Sequence, residues 1–562
     1  MTNYRWKIKA FEQSKVNNLH QVLGVNTTIC QLLVQRGFEC FDDSKNFFRM
    51  TLDQLHNPFQ MLGMEKAVLR IQEAIETNQK ILIYGDYDVD GTTSVALVYS
   101  FIAQFYTNID YYIPDRNNEG YGISFLGIDY AEENNIPLII ALDCGIKAID
   151  KVAYANEKNI DFIICDHHTP GAEIPAAYAI LNPKQTDCVY PYKELSGCGI
   201  GFKLCQAYAQ KFDLENELLF KYLDFVAISI ACDIVPITGE NRILAKFGLE
   251  KLNQNPNLGI KQIIDILNYN KSLTISDVVF KVGPRINAAG RVAHAKEAVS
   301  VLIGNSSSES LQGNNEERQE LDKDTTESAL ALLEKPEYKK RVSTVIFNPE
   351  WHKGVIGIVA SRLIEVHYKP TIVFTKSKGM LVASARSVKD FNVYKAINAC
   401  SEYLVNFGGH FYAAGLTIEE KDFEAFSNKF ESIVQATITE EQKIPLIEID
   451  AEISFANITT SFMNLLKQFA PFGPENMKPV FVTKNVKNAR YTKVVGKEDA
   501  HLKVHLKDQL AYEASGIAFK MGNKLDLVLN ETIDICYTIE ENEWNGNTTL
   551  QLMVKDIRKA KG

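Results

Sequence analysis

Four apolar runs in the first half of the chain are typical of buried strands, because they are rich in β-branched and aromatic residues and end at turn residues. They are KILIYGD (80–86), NIDYYIPDR (108–116), IPLIIALDCG (136–145) and IDFIICDHH (160–168). Helical periodicity lies between them, over residues 91–105, 124–135 and 146–158. Strands that alternate with helices in this way predict an α/β fold with a doubly wound parallel sheet.

The pattern changes over roughly the last fifth of the chain, where short alternating segments follow one another without long helices between them. They are residues 479–496, 501–507, 514–520, 531–540 and 548–558. Alternation of this kind predicts a small all-β barrel, and an OB-fold fits it. Tyr491, Phe519 and Trp544 are the aromatic candidates for stacking on bases there, although we expect each of them to lie in the barrel core.

The amino-acid composition is that of a globular protein rather than of a membrane or secreted one. The chain has 562 residues, of which 46% are hydrophobic and 23% charged, as expected for a globular protein of several domains. Its ten cysteines include no CxxC pair and are expected to be reduced thiols. The first residues lack the apolar region of a signal peptide, and no apolar stretch is long enough to span a bilayer. We therefore expect a cytoplasmic protein without membrane association.

Ionisable residues follow three of the four predicted strands, where ligands bind in parallel α/β folds. They are Asp86, Asp88 and Asp90 after the first strand, Asp143 after the third, and Asp166, His167 and His168 after the fourth. A single Asp after a strand is usually a turn former or a helix cap, but three strand ends of this kind are not all explained as caps. If the backbone stays extended, Asp88 and Asp90 point to the same side.

Several carboxylates and imidazoles at one edge of a sheet predict a site for divalent cations, because a cation neutralises carboxylates that would otherwise repel. The ligand types suit Mg²⁺ or, given the histidines, Mn²⁺. Asp233 is a further candidate ligand, since it lies in the apolar segment AISIACDIVPI, where an unpaired carboxylate would be costly.

These motifs resemble the DHH phosphoesterases, named for the sequence at 166–168, and within them the RecJ single-strand-specific exonucleases. Five further segments occur in the RecJ order. They are VGPRINAAGR (282–291), WHKGVIGIVASRL (351–363), SARS (384–387), FGGHFYAAGLTI (407–418) and APFGPENMKPVF (470–481). The resemblance implies an N-terminal segment of unknown role over 1–55, a DHH catalytic domain over 56–270, a helical connector over 271–340, a DHH-associated α/β domain over 341–440 and an OB-fold over 445–562.

The resemblance also implies a set of site residues and two Mn²⁺ or Mg²⁺ ions per active site. Asp88 would ligate one ion and Asp90 the other, Asp143 would bridge them, and His167 and Asp233 would complete the second site. His168 would face the phosphate, so that the residues of the reaction are His168, Asp143, Asp88 and Asp90. Many members of the superfamily carry a His where this chain has Tyr84. Asp86 is the expected replacement ligand.

For the substrate, the resemblance implies contacts from Arg116 and Tyr121 near the scissile bond. Asn287, Arg291, Ser384 and Arg386 would hold the terminal phosphate. Gly408, Gly409 and His410 would form a phosphate clamp, because glycines allow backbone N–H groups to approach phosphate closely. A bidentate guanidinium such as that of Arg386 matches a phosphate group.

Local charge favours a nucleic-acid substrate despite a formal net charge of −10. Residues 353–395 carry eight Lys or Arg against two acids, and residues 478–507 again carry eight against two. Each segment taken alone is equally well explained as a solvated surface. Together with a phosphate-cleaving centre, the two segments indicate a polyanion bound along a channel.

We therefore expect a metal-dependent exonuclease that degrades single-stranded DNA in repair and recombination, with 5′ to 3′ polarity implied by the resemblance alone. A helicase and a single-strand-binding protein are the implied partners, and a monomer is expected. Two alternatives stay open at this point. One is a DHH phosphodiesterase for cyclic dinucleotides or short oligonucleotides, and the other is an inactive scaffold that only binds DNA. The segment 306–335 is polar and helix-prone, and we expect it to be a solvent-exposed connector helix with few core positions.

Overall fold

The computed structural model describes residues 4–116, 118–544 and 546–560. The chain divides into two compact units. The central unit comprises residues 50–327 and 471–476, and the terminal unit comprises the residues up to 49, 328–470 and those from 477 onward. The domain boundaries given above stay predictions.

The N-terminal segment, for which the sequence offered no motif, belongs to the terminal unit up to residue 49. Its strand pairs in parallel with residues 446–449, and the side-chain amide of Gln31 donates to the carbonyl of Asp450 at 2.6 Å. Its elements are β1 (Arg5–Ile8), α1 (Gln13–Leu23), α2 (Thr27–Val34) and α3 (Phe41–Phe48).

The central unit alternates helices and strands through its first half and is helical afterwards. Its elements are α4 (Met64–Glu76), β2 (Ile81–Gly85), α5 (Val89–Ile102), β3 (Ile109–Tyr112), α6 (Phe125–Glu133), β4 (Leu138–Leu142), α7 (Ile149–Glu157), β5 (Asp161–Cys165), β6 (Ala179–Leu181), α8 (Gly197–Lys211), α9 (Glu217–Phe220), α10 (Leu223–Cys232), α11 (Gly239–Gln254), α12 (Leu258–Ile266), α13 (Ile275–Asp277), α14 (Gly283–Val292), α15 (Lys296–Leu302) and α16 (Glu309–Leu333).

The five strands of this unit form one parallel sheet in the order β3-β2-β4-β5-β6. Alternate residues of each strand face different cores, as the pleat requires. Ile81 and Ile83 pack with helices α5, α8 and α10, whereas Leu82 and Tyr84 pack with α6 and α7. The predicted doubly wound parallel sheet and its four strands are confirmed. Strand β6 was not predicted, because three residues are too few to carry a period-2 pattern.

The segment 306–335 contains one long helix, α16, of 25 residues, whose residues from 328 onward belong to the terminal unit. It is not solvent-exposed all round, contrary to the expectation from its polar composition. A stripe at three- and four-residue spacing is buried, and much of it is polar. The buried residues are Leu311, Asn315, Arg318, Asp322, Thr325, Ala329 and Leu333.

The terminal unit contains a five-stranded mixed sheet in the order β10-β11-β9-β8-β7, in which only β7 and β8 run parallel. Helix α20 packs on it through Phe426 and Phe430. The elements are α17 (Pro336–Lys339), β7 (Thr344–Phe347), α18 (Ile356–Val366), β8 (Thr371–Ser377), β9 (Met380–Arg386), α19 (Val393–Asn398), β10 (Leu404–Gly409), β11 (Ala413–Ile418) and α20 (Phe423–Thr437).

The last part of the chain forms a seven-stranded sheet in the order β13-β14-β18-β19-β17-β16-β15, and an extra pairing between β14 and β16 curls it into a barrel. All five predicted strand segments are present. The elements are β12 (Leu446–Ile449), β13 (Ala451–Glu452), α21 (Thr460–Lys467), β14 (Phe481–Asn488), β15 (Lys493–Val495), β16 (His501–Lys507), β17 (Glu513–Ala518), α22 (Leu525–Asn530), β18 (Ile533–Trp544) and β19 (Asn547–Lys559).

All ten cysteines are free thiols, as expected. Within the described residues, no helix combines the length and the apolar character that crossing a bilayer requires.

Candidate metal centre

The carboxyl edge of the parallel sheet collects the ionisable residues that follow β2, β4 and β5. Asp86 comes directly after β2, Asp143 after β4, and Asp166 after β5. Asp143 has a φ of 58°, in the left-handed region that Asp and Asn adopt more readily than most other residues with a Cβ. This conformation turns the chain at the end of β4, and the carboxylate lies close to His167, which follows the neighbouring strand β5.

Asp88 and Asp90 do not lie on one side of an extended strand. Helix α5 begins at Val89, so that Asp88 is its N-cap and accepts a hydrogen bond from the backbone N–H of Gly91 at 3.0 Å. Asp90 is therefore in the first helical turn. The preference of Asp for caps explains why the chain turns into a helix so soon after β2. The capping role that the sequence also allowed applies to Asp88.

Three carboxylates lie close to the imidazole ring of His167. Its Nε2 lies 3.2 Å from Oδ1 of Asp143, 3.4 Å from Oδ2 of Asp233 and 3.7 Å from Oδ2 of Asp90. Asp90, His167 and Asp233 form one group whose ligand atoms all lie within 4.8 Å of one another. Asp143, His167 and His168 form a second such group. Among the described residues, Asp86 and Asp88 lie outside both groups.

Several buried polar atoms of this cluster make no hydrogen bond with one another, and they are placed to bind a cation. Oδ2 of Asp86, Oδ1 of Asp143 and both ring nitrogens of His167 are buried, with no hydrogen-bond partner among the described residues. Metal–ligand bonds of about 2.1 Å hold neighbouring ligand atoms about 3 Å apart, close to the spacing around His167. Oxygen atoms together with one imidazole are the donor set of Mn²⁺ and related divalent ions.

Electrostatics agree with this fit. Burial first, and neighbouring carboxylates next, raise the pKa of Asp143 and of Asp233 well above the usual range. Burial and the charge of Asp88 do the same to the pKa of Asp86. Burial lowers the pKa of His167 and so favours the neutral imidazole that binds metals. A divalent cation supplies the positive charge that these carboxylates would otherwise take from protons.

His168 has a different environment from His167. Its Nδ1 bonds Oδ1 of Asp166 at 2.7 Å, and its Nε2 lies 3.2 Å from the hydroxyl of Tyr121. Burial alone would lower the pKa of His168, but the bond to Asp166 and the nearby carboxylates outweigh it and leave the pKa raised. Asp166 also accepts from the backbone N–H of Ile146 at 2.9 Å. It orients His168, a role that the sequence did not assign to this aspartate.

Tyr84, at the position where many DHH proteins carry a His, does not face the carboxylates. Its buried hydroxyl donates to the carbonyl of Gly122 at 2.9 Å and accepts from the N–H of Ser124 at 3.1 Å. Gly122 in turn donates its N–H to Oδ1 of Asp86 at 3.1 Å. Glu119 closes this network, since one of its oxygens accepts from the hydroxyls of Tyr112 and Ser124. Tyr84 therefore fixes Gly122 and Ser124, at the end of the loop that precedes α6.

Replacing Tyr84 by Phe should loosen this loop without weakening metal binding. The change leaves two buried backbone groups of the loop unpaired, which costs roughly 1–3 kcal/mol. We expect amide hydrogen exchange in a peptide over 113–124 to accelerate about tenfold or more. Tyr130→Phe is the matched control, because that hydroxyl bonds the side chain of Asp110 instead. A tenfold loss of Mn²⁺ affinity in Tyr84→Phe would show that Tyr84 is a ligand after all.

Three of the predicted substrate contacts surround one aromatic ring of the first motif. The guanidinium of Arg116 lies 5.2 Å from the ring centroid of Tyr87, and the ring of Tyr121 lies 6.2 Å from it. The charge of Arg291 also reaches Tyr87, where it opposes the rise in pKa that burial causes. Asn287 lies one turn before Arg291 on α14 and shares its side of the helix.

The remaining predicted contacts lie in the terminal unit, on neighbouring strands. Ser384 is paired with Gly415, which is paired with Gly408, so that the three line up across β9, β11 and β10. The guanidinium of Arg386, itself largely buried, donates to the hydroxyl of Ser384 at 2.9 Å. A Cβ added at Gly357 would lie 3.0 Å from both of these side chains. Arg386 and Ser384 thus lie at the first turn of α18, a favourable position for an anion.

The GGH segment contains one glycine that the backbone requires. Gly409 has a φ of 148°, and a Cβ there would approach the carbonyl oxygen of Ala413 to 2.4 Å. Gly408 has open space where a Cβ would be, so packing does not explain this glycine. The N–H of His410 donates to the carbonyl of Ala413 at 2.7 Å and closes the hairpin.

The two basic segments differ in how many of their lysines pair with acids. In the segment 353–395, Lys376 pairs with Glu420 at 2.7 Å, Lys389 pairs with Glu448 at 3.0 Å, and Lys369 donates to the backbone. Acids from elsewhere in the chain therefore reduce the local charge that the sequence suggested.

The segment 478–507 instead places lysines on one face of the barrel. Lys493 is directly opposite Lys503, and Lys487 is directly opposite Lys507, in the strand register. Like charges in such pairs are destabilising, unless an anion binds over them. Of the described carboxylates, none lies within 4 Å of these four amines. We call this set the lysine face.

Two of the three aromatic candidates of the barrel, Tyr491 and Phe519, do not lie in its core, contrary to the prediction. Tyr491 is 71% exposed and stacks on His505, with ring centroids 5.9 Å apart. Phe519 is 52% exposed and contacts the ring of His501 edge-on at 5.0 Å. His501 and His505 alternate with Lys503 along β16, so both aromatic pairs border the lysine face. The side chain of Trp544 lies outside the described residues.

Comparison with known families assigns three parts of the chain. The model described as the DHH family, N-terminal domain, matches residues 80–230. The DHHA1 domain matches residues 339–436, and the RecJ OB domain matches residues 449–556. These matches confirm the predicted fold class, including the second α/β domain and the OB-fold.

Similar proteins cover nearly the whole chain. The single-stranded-DNA-specific exonuclease RecJ of Bacillus subtilis is 35% identical over 98% of this chain and 70% of the relative. The structure of RecJ from Thermus thermophilus in complex with Mn²⁺ has a TM-score of 0.85 at 24% identity, over 100% of this chain and 80% of that one. A structure of exonuclease RecJ bound to manganese has a TM-score of 0.59 at 28% identity, over 70% of this chain and 98% of that one.

Proposed function

The chain belongs to the RecJ family, and we propose that it is a metal-dependent exonuclease that hydrolyses phosphodiester bonds of single-stranded DNA from the 5′ end. The observation that carries the proposal is the cluster of Asp90, Asp143, Asp233 and His167 at the carboxyl edge of the sheet. Its buried, unpaired ligand atoms support divalent cations as cofactors. The relative of 28% identity that is described as bound to manganese supports Mn²⁺.

We assign the ligands in two sets. Asp90, Asp233 and His167 form the first, and Asp86 and Asp88 contribute to the second, with Asp143 between them. The distances around His167 support the first set. The unpaired Oδ2 of Asp86 supports the second, because this buried oxygen lies in the same motif as Asp88.

When bound, such cations would activate a water molecule at neutral pH and neutralise charge on the phosphate oxygens. The protein's side chains hold the substrate and orient the proton donor. Asp166 fixes the ring of His168 through Nδ1, so that Nε2 is available to donate a proton to a phosphate oxygen. The hydroxyl of Tyr121 lies 3.2 Å from that nitrogen, and Tyr121 would contact the strand together with Arg116.

The terminal phosphate would be held by polar groups that the family resemblance assigns to it. The candidates are Asn287 and Arg291 on α14, and Ser384 and Arg386 on β9. The position of Arg386 at the first turn of α18 supports an anion there. Gly408, Gly409 and His410 would supply backbone contacts, and the absence of a packing reason for Gly408 supports a close approach of substrate.

Two other functions are less well supported. A phosphodiesterase for dinucleotides needs neither the OB-fold nor the lysine face. An inactive scaffold would not need the unpaired carboxylates of the cluster, whose burial is unfavourable without a cation.

The test uses end-labelled single-stranded DNA, blunt duplex DNA and a dinucleotide with the metal-stripped full chain and added Mn²⁺. We expect mononucleotides from the single strand, with the 5′ label released first. Blunt duplex should resist, because the relatives that this chain resembles are named single-stranded-DNA-specific exonucleases. Equal cleavage of duplex and single strand would refute the proposal. Preference for the dinucleotide would favour the small-substrate alternative.

The lysine face should contribute to binding of long single strands. Replacing Lys503 and Lys507 by Gln should make the plot of log affinity against log salt less steep by roughly 1.4, since each phosphate contact contributes about 0.7 for single strands. The control replaces Lys478 and Lys484, which pair with Glu540 and Glu452. An unchanged slope in the Lys503 and Lys507 variant would show that the face does not contact DNA, and an equal change in both double variants would show that the effect is not specific to this face. Fluorescence anisotropy with Ca²⁺ in place of Mn²⁺ measures the slope.

A nuclease of this kind would act on DNA in the cytoplasm, where reduced thiols such as the ten found here are stable. We propose a role in repair and recombination, in which a helicase opens the duplex and a single-strand-binding protein covers the product strand. A monomer suffices for this activity, because each ligand group comes from one chain.

A further inference from the structure

Asp90 accepts more hydrogen bonds than any other carboxylate of the two proposed ligand sets, and its donors belong to α8 and α10. Its Oδ2 accepts from the backbone N–H of Gly197 at 2.7 Å, and its Oδ1 accepts from the N–H of Cys198 at 2.8 Å. Both donors are in the first turn of α8, a helix of 15 residues. A third donor is the hydroxyl of Ser229, 2.6 Å from Oδ1.

The Ser229 hydroxyl is part of a buried chain of hydrogen bonds in which each donor can be assigned. Ser196, the N-cap of α8, lies with its Oγ 2.6 Å from that of Ser229. Since a carboxylate accepts only, Ser229 donates its single proton to Asp90, and Ser196 donates to Ser229. Both serines are fully buried, so water does not replace either hydroxyl.

Ser229 also connects two members of the same ligand group. It lies on α10, one turn before Asp233, whose N–H donates to the Ser229 carbonyl at 2.9 Å. The hydroxyl of Ser229 donates to Asp90, and its backbone carbonyl accepts from the N–H of Asp233. The separation of the two carboxylates, both near His167, therefore depends on this residue.

Helix α8 approaches Asp143 in the same place. A Cβ added at Gly197 would lie 2.6 Å from Cβ of Asp143 and 2.8 Å from its Oδ1. The first turn of α8 thus lies between Asp90 and Asp143, and only a glycine fits at its start. This contact explains the glycine at 197 in the segment SGCGIG (196–201).

We propose that Ser229 is a positioning residue for the metal centre, which sets Asp90 relative to Asp233 through its hydroxyl. The inference rests on the proposed function, since it concerns the affinity of that site for its cation. Partners that orient metal ligands typically change metal affinity by about ten- to a hundredfold when they are removed.

The test is Mn²⁺ binding to the metal-stripped full chain by isothermal titration calorimetry. We expect Ser229→Ala to weaken binding by about ten- to a hundredfold. The loss of turnover should be recovered by raised Mn²⁺, with KM for DNA unchanged, a pattern that a merely structural role would not produce. If Ser229→Ala melts below the assay temperature, Ser229→Cys, which keeps the volume but donates weakly, carries the test.

The matched control is Ser94→Ala. Ser94 is another fully buried serine beside Asp90, but its hydroxyl donates to the backbone carbonyl of Asp90 at 2.7 Å rather than to the carboxylate. We expect its Mn²⁺ affinity to stay within about threefold of the parent. An unchanged affinity in Ser229→Ala, or an equal loss in Ser94→Ala, would overturn the inference. Absence of Mn²⁺ binding by the parent protein would instead refute the proposed function.

Discussion

Asp143→Asn should lower the rate of single-strand cleavage by roughly a thousandfold or more while leaving the protein folded. Oδ1 of Asp143 is the carboxylate oxygen nearest to Nε2 of His167. Asp143 is also the carboxylate that we place between the two proposed ligand sets. Removing a group that acts as part of a unit typically abolishes most of the catalytic advantage of that unit. Single-turnover cleavage with excess enzyme separates this loss from weaker DNA binding.

Asn is the informative replacement because Asp143 has a positive φ that Asn tolerates better than Ala does. The melting temperature of the metal-free variant should equal or exceed that of the parent, since the buried carboxylate is unfavourable without a cation. Asp110→Asn, in strand β3 and bonded to Lys80, is the control and should retain full activity. Activity of Asp143→Asn within tenfold of the parent would remove Asp143 from the mechanism.

His168→Ala should lower kcat by about a hundredfold or more and should change Mn²⁺ affinity little. A proton donor that acts on the reacting phosphate contributes typically a hundred- to ten-thousandfold. The bond of Nδ1 to Asp166 leaves only Nε2 for substrate, and that nitrogen already has a hydrogen-bond partner in Tyr121. Calorimetry with Mn²⁺ and steady-state kinetics, on the same preparation, give the two quantities.

Asp166→Asn is the companion variant. It should lose part of the same rate enhancement, because the amide no longer favours the protonated ring of His168. Mn²⁺ affinity should again be retained, since Asp166 belongs to neither ligand group. Equal losses of metal affinity and of rate in His168→Ala would instead make His168 a ligand, as its place in the second group allows.

Much of the fold could be predicted, because parallel strands buried on both faces have nearly continuous apolar sequences. Four of the five strands of the central sheet were found in this way, and their common direction brings their ends to one edge. Residues that follow those strands, such as Asp143 and His167, could therefore be placed together without knowledge of distances. The strand of three residues, β6, has too little pattern to be found.

What the sequence did not reveal depends on contacts between distant segments. Ser229 and Gly197 contact Asp90 from 139 and 107 residues away, and neither has a local pattern that indicates a role at a metal centre. The pairing of Lys376 with Glu420 likewise removes charge that a local count includes. Tyr491 was misplaced because it lies between β14 and β15 rather than within a strand, so strand alternation does not decide whether its side chain is buried.

The most direct test of the central claim is a Mn²⁺ titration of the chelated full chain during cleavage of a 5′-labelled single strand. The account predicts no release of label in the metal-free protein and a saturable return of activity as Mn²⁺ is added, with the same titration shifted to higher Mn²⁺ in Ser229→Ala and flat in Asp143→Asn. Release of label that persists after chelation, or a titration that is unchanged in Asp143→Asn, would contradict the assignment of this cluster as the catalytic metal centre.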